Sequence, residues 1–220
     1  MTTRIAIHFI ATFLSLAIVL PASAQTNNSV ITPTHRIDLF DGKSLNGWTF
    51  VSKDTNAEAG AIWSVTNGVI VCTGKPYGYA RTLVGYRDYQ LHAEWRWPAA
   101  AGNSGVFLHV TGADKVWPMC LEAQLAAGRA GDIRFNGGSM LAGKPADFKA
   151  APRREESSEK PPGEWNSYDI VCVSSNVTVH VNGVLQNEIA GASVAAGAIG
   201  LQAEGALVEF RNVWVGPVGK

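Results

Sequence analysis

The feature that most constrains this chain is the recurrence of short segments rich in β-branched and aromatic residues, separated by Gly, Asn and Pro. They run from Ile62 to Val65, Val69 to Cys72, Tyr89 to Trp97, Ser104 to Val110, Met119 to Ala126, Asn166 to Val173, Val177 to Val181, Ala198 to Ala203 and Leu207 to Val215. Many short strands with turn residues between them predict a sandwich or barrel. Asn67-Gly68 and Asn182-Gly183 sit between apolar strands, where residues that accept left-handed backbone close a two-residue hairpin. After the first residues no stretch carries a helical stripe. The expected fold is all-β, a two-sheet antiparallel jelly-roll sandwich.

The chain opens with Met1-Thr-Thr-Arg4, followed by an apolar run from Ile5 to Leu20 and Ala22-Ser-Ala24 before Gln25, the pattern of a cleavable secretory signal. A run of about 16 apolar residues is marginal for crossing a ~30 Å hydrocarbon core, so cleavage is favoured over an anchor. The expected organisation is a signal peptide over 1–24, a flexible segment over 25–36 and a single domain over 37–220. Localisation is then periplasmic or secreted, with no transmembrane anchor in the mature form. The chain balances 18 basic against 18 acidic side chains, which gives no electrostatic reason to expect nucleic acid as a partner. Cys72, Cys120 and Cys172 match no zinc spacing and read as core residues or one disulfide. Lys144 to Glu164, dense in charge and proline, reads as a surface loop.

The chemistry concentrates in the middle of the chain. Leu91, Ala93 and Trp95 alternate with His92, Glu94 and Arg96. Val106, Leu108 and Val110 alternate with Gly105, Phe107 and His109, and Leu121, Ala123 and Leu125 with Glu122 and Gln124. If these strands form a meander, Glu94, Arg96, His109, Glu122 and Gln124 share one polar face. Centring each pairing on its connecting loop sets Glu94, Phe107 and Glu122 in one row. It sets Arg96, Gly105 and Gln124 in the next, with Gly105 leaving a hollow. Asn103, Trp117 and Trp165 add polar and aromatic candidates beside it. For any one of these residues, a cross-strand ion pair on a wet sheet face is the plainer explanation.

Several ordered motifs carry a resemblance. They are Leu39-Phe-Asp-Gly-Lys-Ser-Leu-Asn-Gly-Trp48, Gly102-Asn-Ser-Gly-Val-Phe107, Leu121-Glu-Ala-Gln124, Pro162-Gly-Glu-Trp-Asn166, Gly200-Leu-Gln-Ala-Glu-Gly205 and Phe210-Arg-Asn-Val213. Together they resemble the 3-keto-disaccharide hydrolase domain family. The resemblance implies a concanavalin A-like lectin/glucanase fold and hydrolysis of glycosides oxidised at the sugar 3-position. His109 stands where many members carry Arg. Retaining glucanases of similar fold carry two carboxylates on one strand about 5–5.5 Å apart. Here Glu122-Ala-Gln124-Leu-Ala126 keeps one of them.

A 3-keto glycoside offers another route: a base removes the acidified C2 proton, the C1 substituent leaves, and water adds back. On this reading Glu122 is the base and His109 or Glu94 protonates the leaving group. Arg96 and Gln124 bind substrate or stabilise the enolate, and Asn103, Trp117 and Trp165 bind the sugar. No organic cofactor is implied, and a divalent cation remains open. The alternative from another class is a non-catalytic, lectin-like carbohydrate-binding module, which the same fold also serves.

Overall fold

The computed structural model describes residues 29–219. The expected signal peptide lies outside the described residues. In chain order the first strands are β1 (Val30–Ile31), β2 (Ile37–Asp38), β3 (Trp48–Ser52), β4 (Trp63–Thr66), β5 (Val69–Cys72) and β6 (Gly78–Tyr86). A four-residue helix, α1 (Ala59–Ile62), precedes β4. The central strands are β7 (Tyr89–Arg96), β8 (Gly105–Thr111), β9 (Met119–Gln124), β10 (Ile133–Asn136) and β11 (Ala150–Ala151). The last are β12 (Asn166–Val173), β13 (Asn176–Val181), β14 (Val184–Ile189), β15 (Gly197–Ala203) and β16 (Val208–Pro217).

These strands form two eight-stranded sheets. The first runs β1-β6-β15-β8-β9-β10-β11 with β3 also on β6, and the second runs β14-β13-β12-β7-β16-β5-β4 with β2 on β16. Every pairing is antiparallel except β1 on β6, where Val30 and Ile31 pair parallel with Gly85 and Tyr86. The segment expected to be flexible therefore holds a short strand. Both Asn-Gly pairs close hairpins as expected, with φ of 51° and 77° at Asn67 and Gly68 and 51° and 81° at Asn182 and Gly183.

One core lies between the sheets. Leu91, Ala93 and Trp95 from the second sheet meet Val106, Leu108, Leu121 and Ala123 from the first, all almost fully buried. The period-two pattern thus assigned the inward faces of these seven residues correctly. Cys72, Cys120 and Cys172 are buried free thiols, so the core-residue reading of the cysteines holds and none is in a disulfide.

The expected meander does not form. β7 pairs with β12 and β16 in one sheet, while β8 and β9 belong to the other. The connection that contains Pro98 to Gly102 is short enough for a hairpin, yet it carries the chain from one layer to the next. Both strands then turn their apolar sides inward, and their polar sides face opposite ways out of the sandwich. Glu94 and Arg96 are therefore separated from Glu122 and Gln124 by the core.

His109 is displaced for a different reason. It adopts φ of 59°, and the β8–β9 register shifts between Leu108 and Thr111. Such a bulge exchanges the faces of the residues that follow. Val110 joins Phe107, Tyr79 and Cys120 in a small outer apolar cluster. The His109 ring instead meets the Tyr89 ring edge-on at 5.5 Å.

Candidate functional site

The outer face of the first sheet carries a polar cleft of about 270 Å³ lined by Asn103, Trp117, Glu122, Gln124, Arg134, Asn136, Gln202 and Glu204. Strand order explains the gathering. On β9, Glu122 and Gln124 pair with Phe107 and Gly105 of β8, the expected row partners. On the other flank Arg134 of β10 lies directly opposite Glu122. Gln202 comes from β15 on the far side of β8, and Glu204 follows that strand. Trp117 rides on the loop after β8. Asp114 in that loop is tied to the sheet by the Arg81 guanidinium, at 2.8 Å through both Nε and Nη2, and by the Tyr79 hydroxyl.

Gly105 is the position on which the cleft depends. A Cβ there would stand 2.6 Å from Glu122 Oε1 and 2.8 Å from its Cγ, so the carboxylate occupies the space a side chain would take. The hollow expected from the sequence is real, and Glu122 lies over it.

Glu122 is 2 % exposed. Asn136 Nδ2 donates to its Oε2 at 2.6 Å, while its Oε1 has no hydrogen-bond partner. Burial pushes its pKa from 4.5 up to about 7, with the Asn136 hydrogen bond and Arg134 opposing and the charge of Glu204 adding to the rise. Glu204 is itself raised by burial, against the pull of Arg134, and accepts from Asn103 Nδ2 at 2.7 Å. With the charge of Glu204 among the causes that raise Glu122, the two carboxylates of the cleft can share one proton and so divide the roles of acid and base. Gln124 Oε1 accepts from the backbone N–H groups of Leu125 and Ala126, both at 2.8 Å. Its amide nitrogen is the donor left for a ligand.

Asn103, Trp117, Glu122 and Gln124 are thus brought together, and four other candidates are not. Glu94 accepts from Arg211 and Asn212, each at 2.6 Å, on the outer face of the second sheet. Burial works against its charge, but those hydrogen bonds outweigh it and hold Glu94 below the ordinary carboxylate range. Arg96 pairs with Glu209 at 2.5 Å. Trp165 lies between the guanidiniums of Arg96 and Arg211, at 4.7 and 4.0 Å, so it is neither a core residue nor part of the Glu122 cleft. His109 is fully buried with Nδ1 against the Val194 carbonyl at 3.2 Å, and burial lowers its pKa to about 4. An imidazole held neutral in the core cannot protonate a leaving group in this cleft.

Four cleft residues escaped the sequence reading. Gln202 and Glu204 alternate with buried Leu201 and Ala203, and Arg134 and Asn136 with buried Ile133 and Phe135. That alternation marks the outward faces without saying which strands are neighbours. Among the described residues, no group of three or more His, Cys, Asp or Glu side chains is placed to hold a metal ion. No helix among them is long and apolar enough to cross a membrane.

Comparison with known proteins agrees with the fold. A glycosyl hydrolase, provisionally so assigned, from Parabacteroides distasonis aligns over 84 % of this chain and 94 % of its own at 22 % identity, with a TM-score of 0.63. A β-glucanase from Bacillus licheniformis aligns over 85 % and 99 % at 13 % identity, with a TM-score of 0.55. These likenesses establish the jelly-roll sandwich shared with glucanases. A curated relative, 3-keto-disaccharide hydrolase from Bacteroides thetaiotaomicron, is 28 % identical over 159 residues, 64 % of this chain and 53 % of the relative. The chain thus spans about half the length of the curated relative it matches. The family model described as the 3-keto-alpha-glucoside-1,2-lyase-like domain matches residues 35–216, nearly all of the sandwich, and the chain belongs to that family.

Proposed function

We propose that this chain cleaves 3-keto-glycosides or 3-keto-disaccharides by elimination across C1 and C2 followed by addition of water. The observation that carries the reading is Glu122: a carboxylate buried in a polar cleft, with one oxygen unpartnered and a pKa of about 7. An unpaired buried carboxylate is costly unless it has a use, and a base is most effective when its pKa lies near the working pH.

On this reading Glu122 takes the C2 proton, made acidic by the neighbouring ketone. The electron pair is held first as the enolate, whose oxygen Arg134 and the Gln124 amide nitrogen stabilise. It then forms the C1–C2 double bond as the C1–O bond breaks, and Glu204, the second carboxyl group of the cleft, is placed to give a proton to the departing oxygen. Water adds at C1 and a proton returns to C2, completing the hydrolysis. Trp117, 45 % exposed at the rim, offers a face for the sugar ring. A lectin-like role needs no poised base, and a Glu122 lying on an open flat surface would have favoured it. The expected leader sets the reaction in the periplasm or outside the cell.

Incubation of the purified protein with a panel of 3-keto and unoxidised glycosides, with and without a chelator, tests the proposal. Cleavage restricted to the 3-keto compounds is expected. Equal cleavage of unoxidised glycosides, or sugar binding without turnover of any 3-keto compound, would contradict it.

A further inference from the structure

A second cleft of about 600 Å³ adjoins the Glu122 cleft, and Asn103 and Glu204 line both. Apart from those two, the side chains lining it are small or apolar, chiefly Ala99, Ala100 and Ala101 on one wall and Ala206 and Leu207 on the other. The walls are pinned: Ala127 N–H donates to the Gly102 carbonyl at 2.9 Å, and Gly205 N–H to the Gly74 carbonyl at 2.7 Å. A Cβ on Gly102 would stand 2.1 Å from Ala206 Cβ, so the two walls touch at that point. Leu207 is left 45 % exposed.

We infer that this alanine-lined cleft is the leaving-group subsite and that it selects an apolar aglycone over a second sugar. The inference rests on the Glu122 and Glu204 reading above. If Glu204 protonates the departing oxygen, that oxygen must lie at the junction of the two clefts. The 3-keto ring then occupies the polar side, among Glu122, Gln124 and Arg134, and the C1 substituent extends along the alanines. A second sugar entering there would lose water from its many hydroxyls and find only two polar side chains, Asn103 and Glu204, bonded to each other at 2.7 Å with Asn103 Oδ1 left as an acceptor. A hydrocarbon group entering there would bury apolar surface against Ala100, Ala206 and Leu207 and bring no hydroxyl of its own to be desolvated.

The test compares two substrates that both release an aliphatic alcohol, so their intrinsic leaving abilities are close: the 3-keto derivative of cyclohexylmethyl glucoside and a 3-keto disaccharide. Wild-type protein is expected to favour the cyclohexylmethyl compound in kcat/KM by about tenfold or more, the scale on which apolar pockets discriminate. Ala100→Asp and Leu207→Asp are each expected to reduce that preference by about tenfold. Because the preference is a ratio within one preparation, a misfolded fraction cancels from it. If the disaccharide is cleaved as well or better, or if the preference survives both substitutions, the subsite assignment is wrong and the Glu122 reading stands. If neither compound is cleaved, the Glu122 reading fails and the subsite falls with it.

Discussion

Glu122→Gln should stabilise the protein while removing its activity. Burial raises the Glu122 pKa from 4.5 to about 7, so the folded state holds a proton that the unfolded chain has released. Below pH 4.5 both states are protonated and the carboxyl carries no penalty. Between 4.5 and 7 folding stability falls by about 1.4 kcal/mol for each pH unit, and above 7 the loss levels off near ~3 kcal/mol. Glutamine keeps the shape and can still accept from Asn136, but it never ionises. At pH 8 the variant should therefore gain up to ~3 kcal/mol, or a Tm rise of roughly 6–12 °C for a domain of this size, and at pH 4 it should gain almost nothing. The His109 ring, held neutral by burial, makes both proteins lose stability as pH falls from 6.5 toward 4. The difference between the two proteins, measured by urea unfolding across pH 4–8, therefore isolates Glu122. Turnover of a 3-keto glycoside by the same samples should fall by ~10²–10⁴-fold. A variant no more stable than wild type at pH 8, or an advantage independent of pH, would refute the argument from burial.

Gly105→Ala should force the Glu122 carboxylate from its seat and lower kcat by about 10²-fold, with circular dichroism checking that the sheets persist. In wild type, kcat/KM should rise with pH through a limb near 7, as Glu122 must be ionised to act. Arg134→Met removes a charge that holds Glu122 down, so the limb should move to higher pH in the same profile. Trp165→Ala, which frees two guanidiniums on the opposite sheet, should reduce folding stability by ~1 kcal/mol by urea unfolding and leave kcat/KM within twofold of wild type.

Much of the fold is legible in the sequence because alternation reports burial directly. Leu91, Ala93, Val106, Leu121 and Ala123 all face the core, and loop-centred pairing finds the Phe107–Glu122 and Gly105–Gln124 rows. What alternation does not carry is layer membership. An eight-residue connection such as that from Trp97 to Ser104 serves a hairpin within one sheet or a step between two, and either choice buries the same side chains. That ambiguity is why Glu94 and Arg96 read as neighbours of Glu122 when the core separates them. Glu204 remained hidden because β15 joins β8 through a pairing the chain order does not suggest, and Arg134 because β10, although it pairs with β9, its neighbour in chain order, is too short a segment to stand out as a strand in the sequence. His109 was lost to a single left-handed residue, a local change that reverses faces without altering composition.

The central claim is that Glu122 removes the C2 proton, and the most direct measurement is solvent deuterium appearing at C2. A 3-keto glycoside turned over in D₂O and followed by NMR at early times should give product deuterated at C2, above the uncatalysed exchange rate. Glu122→Gln should show neither the label nor the turnover. Rapid cleavage that leaves C2 unlabelled, or turnover of the unoxidised glycoside at the same rate, would contradict the account.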